Sequence, residues 1–164
     1  MATIQFKKGD EYLARISKLE ALAKDAVIGG AIYGAAAIVT EEIRKELSKV
    51  PTDERYGTQS EPASGPKKGQ IKGLEDNLGI AQMKDDGSGY VHVKIGWDGY
   101  NHIKTKRWPN GQPNQMIARS IARGTSYMTG HDFVKKAVSA SKKRAIQYMK
   151  DTVDQKTEEI MKGT

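Results

Sequence analysis

The sequence predicts an α+β chain, and three observations predict it. An apolar stripe at helical spacing runs through the first fifty residues, from Leu13 to Leu47. Val91, Val93, Ile95 and Trp97 alternate with His92 and Lys94 after a glycine-rich turn, the pattern of a half-buried strand in a hairpin. A second long amphipathic run occupies the C-terminal part, from Asp132 to about Met161. With 164 residues, a single domain over 1–164 is expected.

Gly9-Asp10-Glu11 offers a cap and an acidic first turn for a helix carrying Leu13, Ile16, Leu19, Leu22 and Val27 on one face. Gly29-Gly30 predicts a break or kink, because each glycine costs a helix about 1 kcal/mol against alanine. A second helix follows from about 30 to 49, ended by Val50-Pro51. Gly30 and Gly34, four apart among alanines, are subunit-packing candidates. They would let another helix come close, from this chain or from a neighbouring one.

Residues 51–70 carry Pro51, Pro62 and Pro66 with Gly57, Gly65 and Gly69 and show no hydrophobic period. They predict a long flexible loop, either floppy on the surface or an arm that orders against a neighbour. A short helical turn over 71–78 would place Leu74 and Leu78 on one face. A hairpin is expected across Asp85–Gly89. A further strand near 102–107 is an option. Asn114 is expected to cap a helix over Gln115–Arg123 that Gly124 stops in a left-handed conformation. On the last helix Val134, Val138, Ala145, Met149, Val153 and Ile160 lie along one side. Lys135, Lys136, Lys142, Lys143, Arg144 and Lys150 largely cover the other.

The core is lean. Ile, Leu, Val and Phe together make 30 of 164 residues, offset in part by 16 alanines. Thin, closely packed helices are expected, with packing completed by neighbouring subunits. The net charge of +7 is uneven: residues 101–150 hold 11 basic and 1 acidic side chains. Such a stretch predicts a surface that meets something anionic, nucleic acid or acidic protein.

Several chemistries are excluded by residue type. There is no cysteine, hence no disulfide, thiolate metal site or cysteine nucleophile. His92, His102 and His131 form no HxH or HExxH pair, so no metal and no cofactor are expected. Asp85-Asp86 sits on a glycine-flanked turn, where aspartates are normally solvated. GxSxG, Walker A and GxGxxG are missing, and no enzyme activity is expected. The N-terminus lacks the apolar region of a secretory signal, and the least polar run, Ala26 to Val39, is shorter than the roughly 20 residues a membrane span needs. A soluble protein without membrane contact is expected. The remaining candidates are Lys104, Lys106, Arg107 and Trp108, cations beside a ring, suited to phosphate or to a protein partner.

The C-terminal half also carries a resemblance. Ile117-Ala118-Arg119, then Ala122-Arg123-Gly124-Thr125-Ser126, Met128 and Phe133-Val134-Lys135-Lys136-Ala137 resemble the hallmark of tailed-phage neck and tail-completion (head–tail connector) proteins. Upstream, Gly73-Leu74-Glu75-Asp76-Asn77-Leu78-Gly79-Ile80 and the strand Val91–Gly96 are similar to further family elements. The family-motif positions are thus Gly73, Leu74, Leu78, Gly124, Thr125, Ser126 and Phe133. Ala122-Arg123, His131-Asp132 and Ile71-Lys72 depart from the family pattern.

The resemblance implies a small antiparallel β-sheet packed by long N-terminal and C-terminal helices. It also implies a structural virion protein, assembled in the host cytoplasm as a hexameric or dodecameric ring at the head–tail junction. Its partners would be copies of itself, the head-side connector or head-closure protein, the tail terminator or tail tube protein, and passing genomic DNA without sequence preference. The alternative is a free nucleic-acid-binding module using residues 101–150.

Overall fold

A computed structural model describes residues 23–85, 88, 91–104 and 106–162. The expected first helix as far as residue 22 and the tip of the expected hairpin lie outside the described residues. The architecture is α+β: a long N-terminal helix packs on a long C-terminal helix, with short antiparallel strand pairs between them in the chain.

A π-helical turn, Ala23–Ile28, runs directly into helix α1, Gly29–Ser48. Ile28 is itself in the right-handed helical region, with φ −68° and ψ −46°. The expected break at Gly29-Gly30 is therefore a change of helical pitch inside one continuous rod, a known way of accommodating strain in a helix. Helix α1 ends where the Lys49 N–H turns back to the carbonyls of Glu46 and Leu47, two residues before Pro51. Over Ala26–Ser48 this rod is long and apolar enough to cross a membrane by length and composition. In the fold 44% of its most apolar stretch is buried, with Ala31, Ala35, Ala36 and Thr40 on the buried side.

Helix α2, Lys68–Asp76, leads into β1, Leu78–Ile80, followed by β2, Lys84–Asp85, β3, Val91–His92, and β4, Ile95–Trp97. β1 pairs antiparallel with β4 (Leu78 with Trp97, Ile80 with Ile95), and β2 with β3 (Lys84 with His92, Asp85 with Val91). The Ala81 N–H reaches Lys94 O at 2.8 Å between the two ladders. Three residues, 81–83, face two, 93–94, so the expected hairpin is present but carries a bulge that shifts the register by one. Residues 102–107 form no strand among those described.

Helix α3, Asn114–Arg123, is preceded by Pro113 rather than capped by Asn114, whose side chain is wholly buried. Gly124 ends it at φ 77° and ψ 173°, an extended backbone region reserved for glycine, and not the left-handed helical stop expected. Helix α4, Phe133–Lys162, then runs antiparallel to α1: Arg144 pairs with Glu42 at 2.6 Å, and Tyr148 lies over Gly34.

The core sits at one end of this helix pair. Ile43, Leu47 and Val50 meet Ile71, Leu74 and Leu78, with Ile117, Ile121, Phe133 and Ala137 closing the other side. The buried line on α4 is Phe133, Ala137, Ser141 and Ala145, at strict four-residue spacing. Of the expected side, Ala145 is buried and Val134 packs against the core, but Val138 and Val153 remain 43% and 38% exposed. The reason is steric. α1 offers Ala31, Ala35, Ala36 and Thr40, so the helices approach along small side chains and branched ones are displaced to the flank. The buried hydroxyls of Thr40 and Ser141 donate to the carbonyls of Ala36 and Ala137 within their own helices, which satisfies them without a partner.

Candidate functional site

Two features outside the core hold the residues of interest: a clamped basic loop, and a knot formed by the 51–67 segment with the turn before α4.

The basic loop leaves the hairpin after Trp97 and returns at α3. Its neck is held by Asn101, 4% exposed. The Asn101 N–H donates to Gln112 O at 2.9 Å, and its Oδ1 accepts from the N–H of Gln112 at 2.9 Å and of Ile103 at 3.1 Å. Gly111, at φ 96°, presses so closely on this neck that a Cβ there would lie 1.9 Å from Asn101 O. Asn114 adds a second anchor: its N–H donates to Gly99 O at 3.1 Å and its Nδ2 to Asp98 O at 2.8 Å. Asn101 Nδ2 and Asn114 Oδ1 are buried without a hydrogen-bond partner, both side chains lying beside Gly73 of α2.

The loop so fixed presents Lys104, Lys106 and Arg107 to solvent. Trp108 is half-buried, with the Arg107 guanidinium 5.9 Å from its ring centroid, in cation–π range. Trp108 is thus already engaged within the loop rather than standing free as a stacking platform. The basic residues expected on the last helix are exposed, as a solvated face would be, except that Arg144 is committed to Glu42.

Of the loop expected over 51–70, residues 68–70 begin helix α2; the 51–67 segment lacks helix and strand but is pinned to its own chain. The Asp53 carboxylate accepts from the backbone N–H of Arg55 and Ser64, from the Arg55 guanidinium and from the Ser64 hydroxyl, at 3.0–3.2 Å. The Arg55 guanidinium first, then these backbone donors, hold its pKa well below the usual carboxylate range. Ala63 is gripped on both sides: its N–H donates to Tyr127 O, and Thr129 donates to its carbonyl, each at 2.9 Å. The His131 ring, through Nε2, hydrogen-bonds Ser64 O at 2.6 Å. Gly57 and Gly65 allow this closeness, since a Cβ would sit 1.9 Å from Tyr127 O and 1.8 Å from Pro51 O respectively.

The family-motif residues divide by role. Leu74, Leu78 and Phe133 are core, and Phe133 stacks edge-on against Trp97 at 5.8 Å. Gly73 faces the two buried asparagines. Gly124 lets the chain double back, with Gly130 N 2.7 Å from where its Cβ would be. Thr125 closes the turn, its N–H bonded to Met128 O at 2.9 Å and its hydroxyl accepting from the Tyr127 N–H at 3.2 Å. Ser126 is exposed. Leu74, Leu78 and Phe133 thus meet in the core, Gly124 and Thr125 shape the α3–α4 junction about which the 51–67 knot is tied, and Gly73 lies at the other end of α3 beside Asn114.

Of the subunit-packing candidates, Gly34 is spent inside the chain, where its missing Cβ makes room for the Tyr148 ring. Gly30 is exposed with open space beside it. Sequence reasoning missed Asn101 altogether and misassigned Asn114. Their signal was only polarity between a strand and a helix, which is also what a solvated loop shows. Among the described residues no three His, Asp or Glu side chains converge as a metal site would require. No family model, curated protein or solved structure matches the chain.

Proposed function

We propose that the protein is a structural subunit of a tailed-phage or prophage virion, forming a ring at the head–tail junction that joins tail to head and surrounds the DNA path. One observation carries the reading: five of the seven family-motif residues, in their order along the chain, are ones on which this fold closes. Leu74, Leu78 and Phe133 share one core, and Gly124 and Thr125 make the turn that delivers α4 to it. That is an architectural use of the motif, suited to a protein whose work is assembly. The lean core and the shallow, small-residue helix seam agree with it. In a ring, the clamped loop would offer Lys104, Lys106 and Arg107 as mobile charges on a fixed stem, able to follow phosphates without reading sequence.

The test is the mass of the purified protein in solution and its copy number in particles. Ring stoichiometry with presence in virions is expected. Absence from particles, or a stoichiometry far from a ring, overturns the reading.

The clamped loop also favours a second reading, a free nucleic-acid-binding module. It expects salt-sensitive binding of duplex DNA by the lone protein, abolished by charge reversal at Lys104, Lys106 and Arg107. If that reversal blocks tail joining while the lone protein never binds DNA, the ring reading stands and the module fails.

A further inference from the structure

Next to the α3–α4 junction lies a cavity of about 200 Å³ between α2 and α3. Half of its lining is apolar, Met116, Ile117, Ile121 and Met128, and half polar, Gln70, Gln112, Ser120 and Thr125. Met116 is 36% exposed, and Tyr127 and Tyr56 nearby are 55% and 87% exposed. The backbone beside Tyr56 touches Tyr127 O, and Lys67 lies 3.6 Å above the Tyr56 ring. One turn on from Met116 and Ser120, Arg119 and Arg123 stand exposed. Lys67, Arg119 and Arg123 take part in no ion pair among the described residues. An open, partly apolar pocket with exposed tyrosines and with cations outside any ion pair is the make-up of an interface, not of an inert surface.

The complementary surface is in the same sequence. The last third of α4 carries Asp151, Asp154, Glu158 and Glu159, all exposed, together with exposed Val153. Glu158 pairs with Lys162, and Glu159 with Lys156 and Gln155, all of their own helix and exposed, contacts that exchange readily for others. One chain cannot join the two patches. Phe133, at the start of α4, packs in the cluster that holds Ile117 and Ile121 of the pocket helix. Asp154 lies 21 residues further along, roughly 30 Å at the helical rise.

We infer that the pocket between α2 and α3 receives the acidic end of α4 from a second copy of the chain. Lys67, Arg119 and Arg123 meet its carboxylates, and the apolar lining takes Val153. The contact is head-to-tail, using two different surfaces, and repeated copies close a ring when the rotation permits. The inference rests on the ring reading and supplies its subunit contact.

The absence of cysteine from the chain makes the test direct. The double variant Arg123→Cys/Asp154→Cys, oxidised under dilute conditions, is expected to give a covalent ladder beyond the dimer, while each single variant stops at the dimer. A bond within one chain is excluded by distance. In sedimentation, Arg119→Glu/Arg123→Glu and Asp154→Lys/Glu158→Lys should each weaken assembly at least tenfold with unchanged circular dichroism. The variant carrying all four changes should recover it. Assemblies in the wild type that persist in both charge variants, with no ladder, overturn this contact and leave the ring. A wild type that stays monomeric at every concentration overturns both. Charge variants that still self-assemble but fail to join head or tail overturn the self-contact in favour of a different acidic partner.

Discussion

Asn101 and Gln112 bond to each other in both directions: main chain to main chain at 2.9 Å, and Gln112 N–H to Asn101 Oδ1 at 2.9 Å. One side chain thereby does the work of another strand, fixing the neck of a loop that has no regular structure of its own. Asn101→Ala leaves the N–H groups of Ile103 and Gln112 without their acceptor. A loss of about 1–3 kcal/mol is expected, measured by urea denaturation. Lys104→Ala and Lys106→Ala, at the exposed rim, should leave the midpoint unchanged. Equal effects at neck and rim would mean that the loop is not built from its neck.

How much of this was legible in the sequence depends on the kind of interaction. Period-based features were in part: the long helices and the hairpin follow from spacing, whereas the run expected as one strand over 91–97 is two short strands, Val91–His92 and Ile95–Trp97, half-buried throughout instead of alternating. Which face of α4 is buried was only partly legible: Val134 and Ala145 fall on the expected side, but the choice of Ala137 and Ser141 over Val138 and Val153 is made by the small residues of α1. No local pattern carries that information. The 51–67 segment looked structureless for a similar reason. Its order depends on Asp53 and on the Tyr127 and Thr129 main chain, the latter more than sixty residues away. The candidate site was legible in its charges and illegible in its stem. Lys104, Lys106 and Arg107 announce themselves, whereas a buried asparagine clamp is spelled like any polar loop.

Two glycines give opposite expectations. Gly30 is helical, exposed and faces open space, so Gly30→Ala should stabilise the isolated chain by up to about 1 kcal/mol. For a chain of this length that is a rise of about 2–4 °C in Tm by calorimetry. Gly124 has φ 77° and Gly130 N only 2.7 Å from its absent Cβ. Gly124→Ala should cost about 1–3 kcal/mol from the backbone alone. A neutral result at Gly124 would show that the turn before α4 can adopt another shape.

Asp53 makes the knot pH-dependent in a definite direction. Its folded pKa lies below the ordinary carboxylate value, so its contribution is fully present above about pH 4, the unfolded value. The contribution is lost as pH falls from there toward the depressed folded pKa. Asp53→Asn should therefore lower Tm at pH 7, and the gap to wild type should narrow as the solution is taken below pH 4. Limited proteolysis within 51–67 should follow the same course. A gap constant with pH would mean that the carboxylate's charge does not hold the knot.

Phe133 is where fold and motif coincide, so its removal separates a packing role from a surface one. Its ring is 2% exposed and meets Trp97 edge-on, with 72° between the planes. Phe133→Ala removes a large buried side chain and leaves a cavity at the point where α4 joins the core, worth about 3–5 kcal/mol. Phe133→Leu keeps most of the volume and forfeits the ring contact, for which about 0.5–1.5 kcal/mol beyond the lost area is usual. Trp97 reports the change directly. In a Trp108→Phe background it is the only tryptophan, and its emission should shift to the red in Phe133→Ala and much less in Phe133→Leu. If instead both variants keep wild-type stability and emission, Phe133 is not a core anchor. The motif would then have to be explained by what touches it from outside.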